Sequence, residues 1–598
     1  MKSTVLSRRD LDFLLYEWLG VEALTKRERF ADHSRDTFDG VLDLCEELAT
    51  RFFAPHNKIS DANEPTFDGT RVTLIPEVGE ALEAFAKADL IGMSADDALG
   101  GAQLPVCVAQ AGFAWMSAAN VSTSGYVMLT IANANLVAKF GTAEQIETYV
   151  KPMLAGRFTG TMALSETQAG SSLADITMRA EPQADGSYRL FGAKMWISGA
   201  EHEMSDNIVN LVLAKIPGGP AGTKGISLFI VPKYLVDGDG SVGERNDVAL
   251  AGLNHKMGQR GITNTVLNFG DGTFEPGGAA GAVGYLVGEP HRGLAYMFTM
   301  MNEARLGVGM AAVSLGYTGY LKSLQYARER PQGRPVTAKD PAAPQIPIVE
   351  HADVKRMLLA QKAYVEGGLA LALYCGRLID LQHTAESDSE RDETTLLLDI
   401  LTPVAKSWPS QWCVEANNLA IQVHGGYGYT REYDVEQHYR DNRLNPIHEG
   451  THGIQSLDLL GRKVTQRGGA SLAELGKHVS GAVQRATAAG GDAAVLAAQL
   501  EASWQRLVGV TAGMFGAGDA EAAMANSVIY LEAFGHIVLA WMWLEQVVAA
   551  EGRSGDFYDG KRQAARYFFR YELPRTAPQL DLLESLDRTT LDMRDAWF

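Results

Sequence analysis

The spacing between apolar residues changes along the chain, and the order of these changes limits the folds that the chain can adopt. In residues 37–156 the spacing is that of helices, whereas in residues 157–285 it shortens to two, as at Ile176 and Met178. Helical spacing then returns and continues to the C-terminus. This order is not the strand–helix alternation of a Rossmann domain, and it predicts a multidomain α+β protein.

Breaks in composition divide these regions further. Residues 292–330 are predicted to form one long helix, and the stretch from Pro331 to Pro347, which holds five prolines, is predicted to be a loop. Beyond Gly468 the sequence becomes rich in alanine, which indicates an appended helical bundle. The predicted segments are an N-terminal extension (1–36), an N-terminal helical domain (37–156), a β domain (157–285), a helical bundle (286–465) and a C-terminal helical domain (466–598).

Charge and cysteine content restrict the partners and the compartment. The 53 Lys+Arg residues, against 72 Asp+Glu residues, give a formal net charge of −19, which would repel nucleic acid and anionic lipid. Cys45, Cys107, Cys375 and Cys413 are far apart and form neither a disulfide framework nor a metal-binding cluster. We therefore expect no metal site, no nucleic acid partner and a reducing, cytoplasmic location.

Neither the N-terminus nor the most apolar stretch has the pattern of a targeting or membrane signal. The N-terminal residues include Arg8, Arg9 and several carboxylates without a long apolar core, so they do not have the pattern of a signal peptide. The most apolar stretch, Val528 to Ala550, is interrupted by charged residues such as Glu532 and falls short of the length that a membrane span needs. It is predicted to be a buried helix.

Two segments of the β region have the composition of a cofactor site. Met162 to Ser172 is a loop rich in glycine and serine, whose backbone and hydroxyl groups suit a flat or anionic ligand, although a polar interdomain linker is the alternative. Lys194 to Gly199 is a predicted strand with Trp196 and Ser198 on one face. Its indole either stacks on an aromatic cofactor or packs in the core.

Two further segments lie in the helical bundle. Gln422 to Tyr429 contains three glycines, of which a helix C-cap explains only one, so that a backbone-lined ligand surface is indicated. Asn445 to Thr451 is a turn before a helix that Thr451 is predicted to cap. Glu449 on this turn either points into a cleft or is an ordinary solvated carboxylate.

Arg305 and Arg330 lie 25 positions apart on the predicted long helix, hence about 37 Å apart at 1.5 Å per residue. They are too far apart to hold one small ligand group together. One of them is therefore expected to serve a different site or a neighbouring subunit.

Taken in chain order, these segments resemble motifs of the acyl-CoA dehydrogenase family. The resemblance covers residues 40–465 and implies an N-terminal helical domain, a β-barrel or sandwich domain and a four-helix bundle. The two flanks resemble a subfamily that acts on medium- or long-chain acyl-CoA or on 3-methylmercaptopropionyl-CoA. The segments similar to family motifs are Met162 to Ser172 (T-E-P-x-A-G-S-D), Lys194 to Gly199 (K-x-W-I-[TS]-[NG]), Asn254 to Gly261 (K-x-G-x-R), Gln422 to Gly428 (Q-x-x-G-G-x-G) and Ile447 to Thr451 (I-x-E-G-T).

The resemblance implies FAD-dependent α,β-dehydrogenation of an acyl-CoA thioester in fatty acid β-oxidation. Glu449 would remove the α-proton while hydride passes to flavin N5, which gives a trans-2-enoyl-CoA. The enolate would be stabilised by a flavin hydroxyl and by the backbone N–H of Glu449. Burial is expected to raise the pKa of Glu449 and make it a better base.

The resemblance also assigns contacts to particular residues. The implied substrate contacts are Ser171, Arg305, His448 (in place of the family's usual aromatic residue) and Gly450. The implied FAD contacts are Leu164, Ser165, Gly170, Ser171, Trp196, Ser198 and Thr451, together with Arg330, Gln422 and Gly426, which would reach the FAD of a second subunit.

Partners follow from the same resemblance. The implied cofactor site needs more than one subunit, and we expect a homodimer because the C-terminal domain would cover the face that the family uses to form tetramers. We also expect an electron-transferring flavoprotein as the electron acceptor. The alternatives are an acyl-CoA oxidase that passes electrons to O₂, a 3-methylmercaptopropionyl-CoA dehydrogenase, and a catalytically silent assembly protein with the same architecture.

Overall fold

The computed structural model describes residues 3–340 and 342–598, with the side chain of Thr299 excepted, so Pro341 of the proline-rich loop lies outside the described residues. The chain forms two compact units. The first comprises Met1–Phe38, Pro105–Ala114 and Arg305–Phe598, and the second comprises Asp39–Leu104 and Trp115–Ala304.

The α-helices are Arg8–Asp12, Arg35–Leu48, Asn57–Ala62, Pro76–Lys87, Val106–Ala119, Val121–Phe140, Ala143–Gln145, Lys151–Leu154, Gly293–Glu329, Ala352–His383, Asp388–His424, Val435–Asn442, His452–Asp458, Ala470–Ala489, Gly491–Gly516, Ala520–Ala525, Ser527–Ala549, Asp556–Tyr567, Thr576–Glu584 and Thr589–Asp592. The strands are Thr66–Phe67, Val72–Thr73, Phe158–Ala163, Arg179–Pro182, Tyr188–Ser198, Asn207–Lys215, Ile226–Pro232, Tyr234–Val236, Val242–Arg245, Val248–Leu253, Asn264–Phe269 and Ala282–Leu286.

The second unit is built around an eight-stranded, mostly antiparallel sheet. Arg179–Pro182 pairs with both Tyr188–Ser198 and Asn207–Lys215, which closes five of the strands into a ring. Apolar side chains such as Leu190 and Phe229 fill one face of this sheet and are fully buried. The predicted β-barrel domain is confirmed. Apart from the strand that closes the ring, the order of neighbouring strands is Val248–Leu253, Asn264–Phe269, Tyr188–Ser198, Ala282–Leu286, Ile226–Pro232, Asn207–Lys215 and Phe158–Ala163.

In the first unit the long helix packs closely on the helix Asp388–His424, and glycine makes this approach possible. A Cβ at Gly309 would lie 2.0 Å from the carbonyl oxygen of Ala405, and a Cβ at Gly316 would lie 2.8 Å from the Cβ of Cys413. Neither position can therefore carry a side chain without moving a helix. The predicted long helix is confirmed as Gly293–Glu329.

The C-terminal helices also belong to the first unit. Ser527–Ala549 has the length and apolar composition of a membrane span, but 83% of its most apolar window is buried inside the protein. It packs against Ala470–Ala489, Gly491–Gly516 and Thr576–Glu584. The prediction of a buried helix is confirmed.

The N-terminal extension is joined to the C-terminal helices by buried charges. Asp10, in the helix Arg8–Asp12, lies 2.5 Å from the Lys561 Nζ and accepts a hydrogen bond from the Tyr317 hydroxyl at 2.9 Å. Lys561 also lies 2.8 Å from a carboxylate oxygen of Glu366 in Ala352–His383. The N-terminal extension, two helices of the bundle and the C-terminal helices thus share one polar core.

Candidate active site

Glu449 lies on a turn, which we call the Glu449 turn (residues 443–451), between the helices Val435–Asn442 and His452–Asp458. As predicted, Thr451 caps the second helix by accepting a hydrogen bond from the Ile454 N–H at 3.4 Å. Glu449 itself has a φ of +53°, which is uncommon for a residue with a side chain. Such backbone strain persists only where the surroundings fix it.

Two buried side chains fix the backbone of this turn. The Lys406 Nζ donates to the carbonyl oxygen of Asn445 at 2.8 Å and to that of Gly450 at 2.7 Å. The Gln455 amide donates to the carbonyl oxygen of Glu449 at 3.0 Å. Gly450 has a φ of +88°, and a Cβ there would lie 2.5 Å from the Gln455 amide nitrogen, so the turn requires glycine.

A chain of side-chain hydrogen bonds supports His448. The Asn442 amide donates to Asn417 at 2.7 Å, the Asn445 amide donates to Asn442 at 2.8 Å, and the Asn445 oxygen lies 3.0 Å from His448 Nε2. Burial, with the Lys406 charge adding to it, lowers the pKa of His448 to about 3. The imidazole is therefore neutral at ordinary pH, and we assign its proton to Nε2 because the facing Asn445 oxygen accepts.

The Glu449 carboxylate is half-buried and has no hydrogen-bond or ion-pair partner among the described residues of its unit. Burial raises the pKa of Glu449 above its ordinary value, while the positive charges of Lys406 and Arg305 act against that rise. Arg305 is itself paired with Asp458 at 2.9 Å. The first unit thus brings the predicted residues Glu449, His448, Gly450, Thr451 and Arg305 into one site.

In the second unit, the predicted cofactor loop and the predicted strand are joined. The Lys194 Nζ donates to the Leu164 carbonyl at 2.9 Å and pairs with Glu166 at 3.0 Å, and both side chains are buried. The Met195 N–H donates to the Ser165 carbonyl at 3.0 Å. Glu166 also accepts hydrogen bonds from the Thr177 N–H and hydroxyl, so the loop is fixed at several points.

Trp196 presents its indole to solvent within this strand. Regular pairing with Asn264–Phe269 is interrupted at Trp196, which has a φ of +67° and leaves 58% of its surface exposed. The predicted strand is confirmed, but the bulge interrupts the simple alternation expected of it. Ser198 beyond the bulge accepts a hydrogen bond from the Asn264 amide at 3.1 Å. Gly170 and Ser171 in the loop are exposed.

The remaining predicted residues lie together at another place in the first unit. The helix Asp388–His424 ends at the glycine-rich turn, where Gly426 is exposed and has open space around its Cα. The Arg330 guanidinium lies 5.5 Å from the centre of the Tyr427 ring on this turn. Gln422 is exposed one helical turn earlier.

Sequence reasoning missed several residues that hold these sites. Lys406 had a signal, because it is the only charged residue in the stretch 400–414. Gln455, Glu166 and Lys194 gave no comparable signal as supporting residues, since their partners are main-chain groups or residues distant in sequence. Among the described residues, no group of three or more His, Cys, Asp or Glu side chains could hold a metal ion.

Four family profiles match the chain. They are described as the acyl-CoA dehydrogenase N-terminal domain (residues 41–157), middle domain (161–271) and C-terminal domain (291–464), and as an acetyl-CoA dehydrogenase C-terminal-like domain (472–594).

Curated relatives match over almost the whole chain. The 3-methylmercaptopropionyl-CoA dehydrogenase of Ruegeria pomeroyi is 35% identical over 94% of this chain and 94% of its own length. The broad-specificity linear acyl-CoA dehydrogenase FadE5 of Mycobacterium tuberculosis is 33% identical over 99% of both chains.

Among solved structures, Caenorhabditis elegans ACDH-11 in complex with C11-CoA matches with a TM-score of 0.74 at 18% identity, covering 99% of this chain and 91% of that one. An acyl-CoA dehydrogenase from Bacillus anthracis complexed with FAD gives the same TM-score and identity, covering 96% of this chain and 91% of that one.

Proposed function

The chain belongs to the acyl-CoA dehydrogenase family, and on that premise we propose that Glu449 is the base that removes the α-proton of an acyl-CoA thioester. The observation that carries this proposal is a half-buried carboxylate, without a partner in its own unit, whose pKa is raised by burial. A base with a raised pKa holds an abstracted proton more firmly than an ordinary carboxylate does. The product is a trans-2-enoyl-CoA.

FAD is the cofactor of the family, and when bound it accepts the hydride that leaves the substrate's β-carbon. The second unit suits such a ligand, because the exposed Trp196 indole offers a flat apolar surface beside the loop that carries Ser165. We propose that Leu164, Ser165, Gly170, Ser171, Trp196, Ser198 and Thr451 hold it. We further propose that Arg330, Gln422 and Gly426 bind the FAD of a second subunit.

Loss of the α-proton places negative charge on the thioester oxygen, which must be stabilised. The Glu449 N–H has no acceptor among the described residues of its unit, so it is available to donate to that oxygen. The Glu449 carbonyl oxygen already accepts a hydrogen bond from Gln455, and the Gly450 carbonyl oxygen accepts one from Lys406. These bonds offset the partial negative charge of both oxygens near the site. We propose that Ser171, Arg305, His448 and Gly450 line the substrate site.

The names of the relatives support two substrate classes, linear acyl-CoA and 3-methylmercaptopropionyl-CoA. Pentanoyl-CoA is the matched comparison for 3-methylmercaptopropionyl-CoA, because the two acyl groups differ only at one position, where sulfur stands in place of the C4 methylene. A pocket that selects the thioether should change kcat/KM between these two substrates by about tenfold or more. Equal values, with a rise toward octanoyl-CoA, would support the straight-chain class.

We propose an electron-transferring flavoprotein as the acceptor, a homodimer as the assembly and the cytoplasm as the location. Free, buried cysteines are consistent with a reducing compartment. Hydrogen peroxide release under air, at the rate of substrate consumption, would instead assign the chain to the oxidases. Light scattering of the FAD-loaded protein measures the assembly.

The proposed base is tested by Glu449→Gln, which keeps the shape of the side chain and removes its basicity. The FAD-loaded variant should lose turnover of octanoyl-CoA by about 10³-fold or more while retaining flavin. Glu303→Gln is a suitable control, because Glu303 accepts a hydrogen bond from Asn135 and its substitution should leave most of the activity. Substantial turnover by the Glu449 variant would reassign the base.

A further inference from the structure

Lys406 is unusual among the buried lysines of this protein. Its side chain is fully buried, and no carboxylate lies within ion-pair distance of it among the described residues of its unit. Among the described residues, the other buried lysines each pair with a carboxylate: Lys194 with Glu166, Lys233 with Glu201, Lys463 with Asp399 and Lys561 with Asp10. An ammonium buried without a carboxylate is costly, so its position calls for an explanation.

The explanation lies in what Lys406 contacts. Its two acceptors, the carbonyl oxygens of Asn445 and Gly450, stand on either side of Glu449 in the chain. One ammonium group therefore ties together both ends of the segment in which Glu449 takes its left-handed conformation. A residue that bonded only one end would leave the other free to relax that strained backbone.

We infer that Lys406 is a positioning residue for the proposed base: it fixes the Glu449 turn through both flanking carbonyls and supplies a positive charge near Glu449. This inference rests on the proposed role of Glu449. It adds a residue to the site that acts without touching the substrate.

The other charged and titratable groups near this turn are paired, neutral at ordinary pH or exposed to solvent. Arg305 pairs with Asp458, which Arg462 also contacts at 2.7 Å. His448 and His452 have pKa values lowered by burial to about 3 and about 4, so neither is charged at neutral pH. The positive charge of the exposed Arg443 contributes to lowering the pKa of His452. Lys406 is thus the buried positive charge near Glu449 that no carboxylate neutralises within ion-pair distance among the described residues of the unit.

The consequence is a defined effect on titration. Burial alone would favour the protonated form of Glu449, which cannot act as a base, and the ammonium counteracts this. Removing the charge should therefore raise the pKa of Glu449. The acid limb of kcat/KM would then move to higher pH, which a purely structural role of Lys406 would not cause.

The experiment compares Lys406→Met, Lys406→Gln and Lys406→Arg in the FAD-loaded full chain, with octanoyl-CoA and an artificial electron acceptor across pH. Met and Gln should shift the acid limb upward by about one pH unit or more, whereas Arg, which keeps the charge, should leave it near its original position. Gln retains a hydrogen-bond donor, so it separates the loss of charge from the loss of the turn's support. Lys463→Met is the matched control, since Lys463 is buried but pairs with Asp399, and its acid limb should not move.

A second readout does not depend on turnover. Glu449→Gln should change the melting temperature near pH 7, where the Lys406 ammonium is still charged, by a larger amount in the Lys406→Gln background than in the original chain, because the carboxylate then lacks this nearby positive charge. An unchanged acid limb in both neutral Lys406 variants, together with additive melting temperatures, would overturn the inference. Failure of the base assignment itself would appear separately, as retained turnover in Glu449→Gln alone.

Discussion

Two buried groups of charges in the first unit use the same side chains in opposite ways. In the Lys561 cluster (Asp10, Lys362, Glu366 and Lys561), two ammonium groups meet two carboxylates in direct contact. At the Glu449 turn, Lys406 bonds to main-chain carbonyls, and the nearby Glu449 carboxylate has no partner among the described residues of its unit. Opposite charges therefore neutralise one another at ion-pair distance in the Lys561 cluster, but not at the Glu449 turn.

The pKa values of Glu366 and Glu449 follow this difference, whereas burial raises the pKa of Asp10 even though Lys561 acts to lower it. In the Lys561 cluster burial acts to raise the pKa of Glu366, but Lys362 and Lys561 outweigh it and lower that pKa. At the turn, burial wins at both groups, raising the pKa of Glu449 and lowering that of Lys406 to about 8. Paired charges thus fix where the N-terminal and C-terminal segments join, whereas the unpaired carboxylate retains the basicity that proton abstraction needs.

The largest effect on stability is expected from breaking the balanced cluster. Lys561→Met leaves Asp10 and Glu366 buried with one fewer cation, which should lower the free energy of unfolding by about 3–5 kcal/mol. Urea unfolding at neutral pH measures this loss. Lys477→Met is the control, because Lys477 is exposed and solvent screens its pair with Glu474 at 2.7 Å, so this substitution should change stability little. Equal losses in the two variants would contradict the comparison.

The buried ion pair of Lys194 and Glu166 tests whether paired charges also support a ligand site. Lys194→Met removes the ion pair with Glu166 and the hydrogen bond to the Leu164 carbonyl, although Glu166 keeps its bonds to Thr177. We expect a loss of about 2–3 kcal/mol in stability, together with weaker retention of FAD. The flavin-to-protein ratio after gel filtration measures retention. Full flavin content would show that the pair supports only the fold.

Acid provides an independent check on this pair. Burial acts to raise the pKa of Glu166, but Lys194 and the Thr177 hydrogen bonds lower it to about 2. Because the folded pKa lies below the unfolded value, the stabilisation is present above the unfolded pKa and is lost as pH falls through the folded one. Lys194→Met should therefore weaken the dependence of the melting temperature on pH in the acid range.

The smallest effect is expected at the unbalanced carboxylate, and it has the opposite sign. Because burial raises the pKa of Glu449, folding favours the protonated form, and stability is lost as pH rises through the folded pKa. Glu449→Gln should therefore stabilise the protein by about 0.5–2 kcal/mol above neutral pH while abolishing turnover. Melting temperatures measured across pH should converge in acid, where Glu449 is protonated. A destabilised variant at high pH would contradict this account.

The sequence predicted the helices and strands better than it predicted the side chains and strand pairings that hold the site in place. Periodicity located the β domain, the long helix Gly293–Glu329 and the buried helix Ser527–Ala549, because each follows from a local pattern of apolar residues. Motif resemblance selected Glu449 and Trp196, but it could not supply the bulge at Trp196, which depends on pairing with a distant strand. Lys406 was missed because its acceptors are carbonyls about 40 residues later in the chain.

The central claim is that Glu449 removes a proton from the carbon beside the thioester, and solvent exchange tests this most directly. Acetyl-CoA has α-hydrogens but no β-carbon, so in D₂O a competent base can exchange those hydrogens without any oxidation. The FAD-loaded protein should incorporate deuterium into the acetyl group, as followed by mass spectrometry, and Glu449→Gln should show no exchange above the rate without enzyme. Exchange by the variant at the rate of the original protein would contradict the account.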